Sequence, residues 1–343
     1  MNRNLTLLTL LVALAATAAL AGADPRASTP AASAAAQGAA KPPTAAPGAA
    51  GAAAMSLVVS PAWLAAHLGD PDVVLLHVGD ADAYRAKHIA GARLIALDDF
   101  SVSASGHDGL HLELPPAEEL RRHLEALGIS NSSRIVVYFG DDWISPATRV
   151  VLTLDIAGLG AQTALLDGGM PGWLRAGHAV TAAVTPARTG RLAPLALRPI
   201  VVDATTVVSS LGKPGVAVVD ARDAEYYSGA SAGGMPMHLH RAGHIAGALS
   251  LPYSSVFDDQ QRLRPDDDLR ARFAKAGVAP GDTVIGYCHI GQQATAMLFA
   301  ARRLGHPILL YDGSFEDWSQ HSAYPVEIGG KAAKPTAKPG AKR

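Results

Sequence analysis

A domain-sized internal repeat constrains this 343-residue chain more than any single motif does. In the first half a short apolar run over residues 73–78 leads to Gly79-Asp80-Ala81-Asp82-Ala83-Tyr84 and then to His88-Ile89-Ala90-Gly91-Ala92-Arg93. In the second half a run over residues 216–219 leads to Asp220-Ala221-Arg222-Asp223-Ala224-Glu225-Tyr226-Tyr227 and then to His244-Ile245-Ala246-Gly247-Ala248-Leu249. The two hexads differ only at Arg93 and Leu249. The correspondence continues through Gly128-Ile129 and Gly277-Val278, each before an apolar run (135–139 and 283–287) and a helical pattern (146–158 and 292–304). It closes with Leu165-Leu166-Asp167-Gly168 before Trp173, matched by Leu310-Tyr311-Asp312-Gly313 before Trp318. β-branched runs alternate with helices whose apolar residues, such as Ala294, Met297, Leu298 and Ala301, share one face. Strands separated by helices predict an α/β fold, a mainly parallel sheet covered on both sides, made twice. Gly158 and Gly305 are expected to end their helices.

The ends do not belong to this pattern. Arg3 precedes an apolar run over residues 5–20, followed by Ala21-Gly22-Ala23, which reads as a secretory signal over 1–23 with a small-residue cleavage site. The other reading is an uncleaved inner-membrane anchor, since residues 5–23 just span the ~30 Å hydrocarbon layer. Residues 24–55, rich in Ala, Pro and Gly, and a basic tail over 329–343 lack the large apolar side chains that would offset ordering, and are expected to be disordered. Between them lie a domain over 56–184, a linker over 185–200 and a domain over 201–328. An exported, periplasmic protein is the expectation. A net charge of −1 offers no basic field for nucleic acid, so small molecules are the expected partners, with no stable membrane insertion after cleavage.

Cys288 is the chain's single cysteine, so it has no partner for an internal disulfide. It is either a small buried hydrophobe or a thiol kept free for use. Its position favours use, because it follows a strand and precedes the helix opening near Gln292, at the edge of a parallel sheet where ligands bind. Amides of the loop and the positive end of the helix stabilise an anion there, which predicts a lowered thiol pKa.

At this point the chain resembles the rhodanese family. The residues are Asp220-x-Arg222, Gly243-His244-Ile245-Ala246-Gly247-Ala248, the loop Cys288-His289-Ile290-Gly291-Gln292-Gln293 and Tyr311-Asp312-Gly313-Ser314-Phe315-Glu316-Asp317-Trp318, in family order over roughly residues 57–327. The resemblance implies two tandem rhodanese-like domains and a sulfurtransferase. Cys288 would take sulfur from a donor, thiosulfate first and 3-mercaptopyruvate second, and pass it as a persulfide to cyanide or a thiol. Backbone donors of His289, Ile290, Gly291, Gln292 and Gln293 would hold the negative charge, Asp220, Arg222 and Tyr226 would support the cleft, and no metal or cofactor is called for. The N-terminal copy has Phe139-Gly140-Asp141-Asp142-Trp143-Ile144 where the cysteine loop should be, so it would be inactive and shape the cleft. His88 and His244 stand at the same place in both copies, which makes them turn residues and not bases.

Two positions depart from the family's thiosulfate enzymes, which have an arginine where Tyr226 stands and a lysine where Ile290 stands. The Gly-Ser-Gly pattern of the mercaptopyruvate enzymes is also missing from the loop. Replacement positive charge is expected from Arg222, from protonated His289 or from arginines across the cleft. A cysteine phosphatase is disfavoured, since its loop ends in arginine and Ala294 stands at that place. A non-catalytic sulfur carrier or binding module remains the alternative. Met235, Met237, His238, His240 and His244 suit copper by type, but read better as a loop insertion.

Overall fold

The computed structural model describes residues 54–330 except 107–108, 141–142, 187 and 236–237. The segment expected to be a signal, most of the expected spacer and all but the start of the expected tail lie outside the described residues. The first half runs β1 (Val58–Val59), α1 (Pro61–His67), β2 (Val73–Val78), α2 (Ala81–Ala86), β3 (Arg93–Ile95), α3 (Ala117–Ala126), β4 (Arg134–Phe139), α4 (Ser145–Ile156), β5 (Thr163–Leu166) and α5 (Gly169–Arg175). The second begins β6 (Val201–Val202), α6 (Ala204–Ser210), β7 (Val216–Asp220) and α7 (Ala224–Tyr227). A small hairpin, β8 (Gly234–Met235) with β9 (His238–Leu239), is inserted next. Then come β10 (His244–Ile245), β11 (Leu249–Ser250), α8 (Asp266–Ala276), β12 (Thr283–Tyr287), α9 (Gln292–Arg303), β13 (Ile308–Tyr311), α10 (Ser314–Gln320) and β14 (Val326–Glu327).

Each half forms a five-stranded sheet, ordered β1-β5-β4-β2-β3 and β6-β13-β12-β7-β11. The two orders are the same when strands are counted within each sheet, and the pairings in both sheets are parallel. β2 and β4 are buried beyond their first residue, as parallel strands covered on both faces must be.

The hexads show why the repeat is retained. In each copy the histidine stacks on a tyrosine, His88 on Tyr84 at 4.0 Å and His244 on Tyr227 at 3.7 Å between ring centroids. Each Nδ1 lies 2.7 Å from that tyrosine's carbonyl oxygen, which can only accept, so the ring holds its proton there. The tyrosine hydroxyls donate to Ala92 and Ala248, both at 2.8 Å. These histidines brace a turn.

Helices α4 and α9 pack against each other across a pseudo-two-fold seam, and one buried cluster runs through them from Leu76 and Val137 to Val219 and Leu310. α4 is buried nearly all round for this reason. Thr148 and Thr295, each fourth in its helix, share a hydrogen bond of 2.8 Å. Asp155 and Arg302, both eleventh, pair at 3.2 Å. Gly158 and Gly305 follow these helices with φ of +84° and +87°, which relieves the strain a side chain would meet. The chain between the halves has no helix or strand over the described part of 185–198 and is fastened to the first half, Gly190 donating to the Glu125 carbonyl at 2.7 Å and Arg198 to the Ile156 carbonyl at 2.8 Å.

Candidate functional site

Cys288 is the first residue after β12, at the carboxyl end of the central strand, and is fully buried. Its N–H donates to the Ser314 hydroxyl at 3.1 Å, which donates in turn to the Tyr311 carbonyl at 2.9 Å. Its carbonyl accepts from Phe315 at 3.1 Å, and the His289 carbonyl accepts from Glu316 at 3.0 Å. The loop is therefore tied to the start of α10, where Ser314 adopts a φ of +53° to reach it. Gly291, at φ +75°, turns the loop into α9, and a Cβ there would lie 2.7 Å from the Asp312 carbonyl oxygen.

The amides of Ala294, Ile290 and Gln293 are directed at the sulfur. Ala294, one residue beyond the expected run, joins the cradle because the first turn of a helix leaves its N–H groups free. The expected lowering of the thiol is not found. Burial pushes Cys288 up, those amides pull against it and the Asp220 carboxylate adds to the rise. The correction has a simple cause: complete removal from water penalises a thiolate more than three amides offset.

His289 corrects a second expectation. Burial, with Arg222 and His240 beside it, depresses its pKa to about 3, so the ring is neutral and supplies no positive charge at neutral pH. It sits edge-on to Tyr226 at 4.6 Å and 5.4 Å from the His240 ring, centroid to centroid. Tyr226, where the family's thiosulfate enzymes have a cation, is thus a wall for this imidazole. Gln292 donates through its side chain to the Ser145 hydroxyl at 2.9 Å, a contact between halves. Ile290 and Gln293 are half-buried.

Asp220 and Arg222 are fully buried and paired with each other. Nη2 of Arg222 reaches Asp220 Oδ2 at 2.6 Å and the Gly243 carbonyl at 2.8 Å, and the guanidinium lies 4.0 Å above the Phe315 ring. Burial forces such a charge pair to be satisfied, and the two residues satisfy each other. Arg222 retains a buried Nη1 without a hydrogen bond. Near the thiol, half-buried Tyr253 comes from the second half, and Trp143, 43% exposed, meets it edge-on at 6.0 Å from the first. Asp141 and Asp142 of the substituted loop lie outside the described residues.

Met237 also lies outside them. His240 packs against His289, and His244 is taken by Tyr227. Among the described residues no group of three or more His, Cys, Asp or Glu could hold a metal ion. Sequence reasoning missed Arg149, a buried arginine of α4 that touches the cysteine loop, and Ser314. The signal for Arg149 was available, since a lone charge stands in the otherwise uncharged run 145–154.

A doubled parallel α/β sheet with a cysteine cradle at the tip of one copy's central strand is the architecture of a tandem cysteine-loop protein. The chain belongs to the rhodanese family: the model of the rhodanese-like domain matches residues 60–176 and 203–321. It is 33% identical over 279 residues to a probable 3-mercaptopyruvate sulfurtransferase of Pseudomonas aeruginosa, covering 78% of this chain and 96% of that one. A thiosulfate sulfurtransferase of Azotobacter vinelandii is 28% identical over 284 residues, covering 80% and 98%. Among solved structures, the wild-type structure of EanB superposes with a TM-score of 0.70 at 23% identity, over 80% of this chain and 70% of that one, a likeness of fold.

Proposed function

We propose that the protein is a rhodanese-type sulfurtransferase that carries sulfane sulfur on Cys288. Relatives named sulfurtransferases along nearly their whole length support the reaction class. The observation that carries the assignment to Cys288 is the convergence of the Ile290, Gln293 and Ala294 amides on its sulfur. A thiolate so placed attacks the outer sulfur of the donor. With thiosulfate, a new S–S bond forms to Cys288, the donor's S–S bond breaks, and sulfite leaves with the bonding pair. An acceptor nucleophile, cyanide or a thiolate, then attacks the terminal sulfur and Cys288 departs as thiolate. The same amides face the negative charge in both states, in a site with little water. Thiosulfate is the first choice of donor and 3-mercaptopyruvate the second. Action after export, in the periplasm, is part of the proposal and is supported by the N-terminal residues alone.

The test is a paired assay of thiosulfate and 3-mercaptopyruvate with cyanide as acceptor, for the wild type and Cys288→Ser. Turnover with at least one donor, abolished by the substitution, is expected. Turnover surviving in the variant would remove Cys288 from the chemistry. The full burial of the thiol favours a second reading, a sulfur carrier that loads once and waits for a partner. Its signature is a wild-type protein whose mass rises by one sulfur atom on donor addition, without thiocyanate production.

A further inference from the structure

Arg149 is the fifth residue of α4, in the half without the cysteine, and is almost wholly buried. Its guanidinium crosses the seam. Nη1 donates to the Gly291 carbonyl at 3.3 Å and pairs with Asp312 Oδ1, while Nη2 donates to Asp312 Oδ2 at 3.2 Å and to the Leu112 carbonyl. The same Asp312 carboxylate accepts the Leu114 N–H at 2.9 Å. One side chain thus joins the turn of the cysteine loop, the segment after β13 and a strap from its own half. Thr148 with Thr295 and Asp155 with Arg302 join matched positions of the two helices, whereas Arg149 does not. The fifth residue of α9 is Ala296, so no reciprocal arginine reaches the substituted loop of the first half.

We propose that Arg149 is a positioning residue for the cysteine loop of the opposite half, fixing the Gly291 carbonyl so that the amides on either side of that turn stay aimed at the Cys288 sulfur. A left-handed residue beside right-handed neighbours lines successive N–H groups on one concave side, with its carbonyl turned outward. Holding that carbonyl holds the concavity. Asp312 keeps the guanidinium in place, and Gly291 has no side chain because the space a Cβ would fill lies 2.8 Å from Asp312 Oδ1 and 3.0 Å from Arg149 Nη1. The substituted half would then have a use that explains one buried charge: it sets the geometry of the working loop.

Arg149→Lys separates this role from bulk stability. Lysine retains a charge for Asp312 but lacks the planar fork that serves a carboxylate and two carbonyls together. The readout is the pH dependence of Cys288 alkylation by iodoacetamide, which needs no assumption about sulfur transfer. The expected result is a thiol ionising about one pH unit higher, which is roughly tenfold less thiolate at a given pH below its midpoint, with Tm close to wild type. Arg149→Met with Asp312→Asn removes both charges without burying one alone and should give the same shift. Asp155→Asn weakens the far end of the same helix pair, away from the loop, and should leave the alkylation profile unchanged. A folded Arg149→Lys protein or double variant that alkylates as wild type overturns the proposal, and so does an equal shift in Asp155→Asn. A shift in proteins that transfer no sulfur would overturn the proposed reaction while leaving the positioning role intact.

Discussion

At the scale of single residues, ionisation is governed by burial. The Cys288 thiol sits above its ordinary value because it is buried, so thiolate accumulates only as pH rises. The alkylation rate of the native protein should therefore climb with pH through a midpoint above the ~8.5 of a free thiol, whereas the unfolded chain titrates near that value. A native midpoint below that of the unfolded chain would mean that the amides outweigh desolvation. The location of this cysteine was legible from a strand, a turn and a helix pattern in order. Its charge state was not, because burial depends on what the remote segments around Ser314 and Tyr253 place over it. The same holds for His289, whose neutrality comes from Arg222, His240 and lost water, none adjacent in sequence.

At the scale of elements, the strands and helices that repeat matching bounded lie within a residue or two of those expectations. The helix expected over 146–158 is Ser145–Ile156, and the strand expected over 216–219 extends to Asp220. Such offsets reflect fraying and the positive-φ glycine that follows α4. The strap before α3 was not legible, since its meaning lies in partners from the other half. His111 meets Glu316 at 2.6 Å, and Leu114 meets Asp312. Glu113 lies between them, and burial together with the Asp312 charge raises its carboxyl to about 8, with Arg149 opposing. A carboxyl raised in the folded state binds its proton more tightly than in the unfolded chain. Its contribution is complete below the unfolded value of about 4.5 and is lost as pH rises through 8. Glu113→Gln, neutral at every pH, should show a smaller fall in Tm between pH 5.5 and 8.5 than the wild type. An equal fall in both would mean that Glu113 does not titrate there.

At the scale of the whole molecule, the halves share one core, and the linker contributes no helix or strand to it. A chain nicked within 185–200 should stay together, the pieces 56–184 and 201–328 eluting as one species after cleavage and separating only on denaturation. Their separation under native conditions would show that the seam depends on the covalent connection. The duplication was legible from the hexads. The seam was not, because a repeat does not say which of its faces meet. The unreciprocated contact of Arg149 with Asp312 makes this surface choosy about its mate. Two cysteine-bearing halves docked in the same manner would set Ala296 against Asp312 and strand a carboxylate in the interior, a penalty of about 3–5 kcal/mol for a buried pair that loses one member. That mismatch disfavours like-with-like assembly and gives the duplicated architecture a built-in preference for unequal partners.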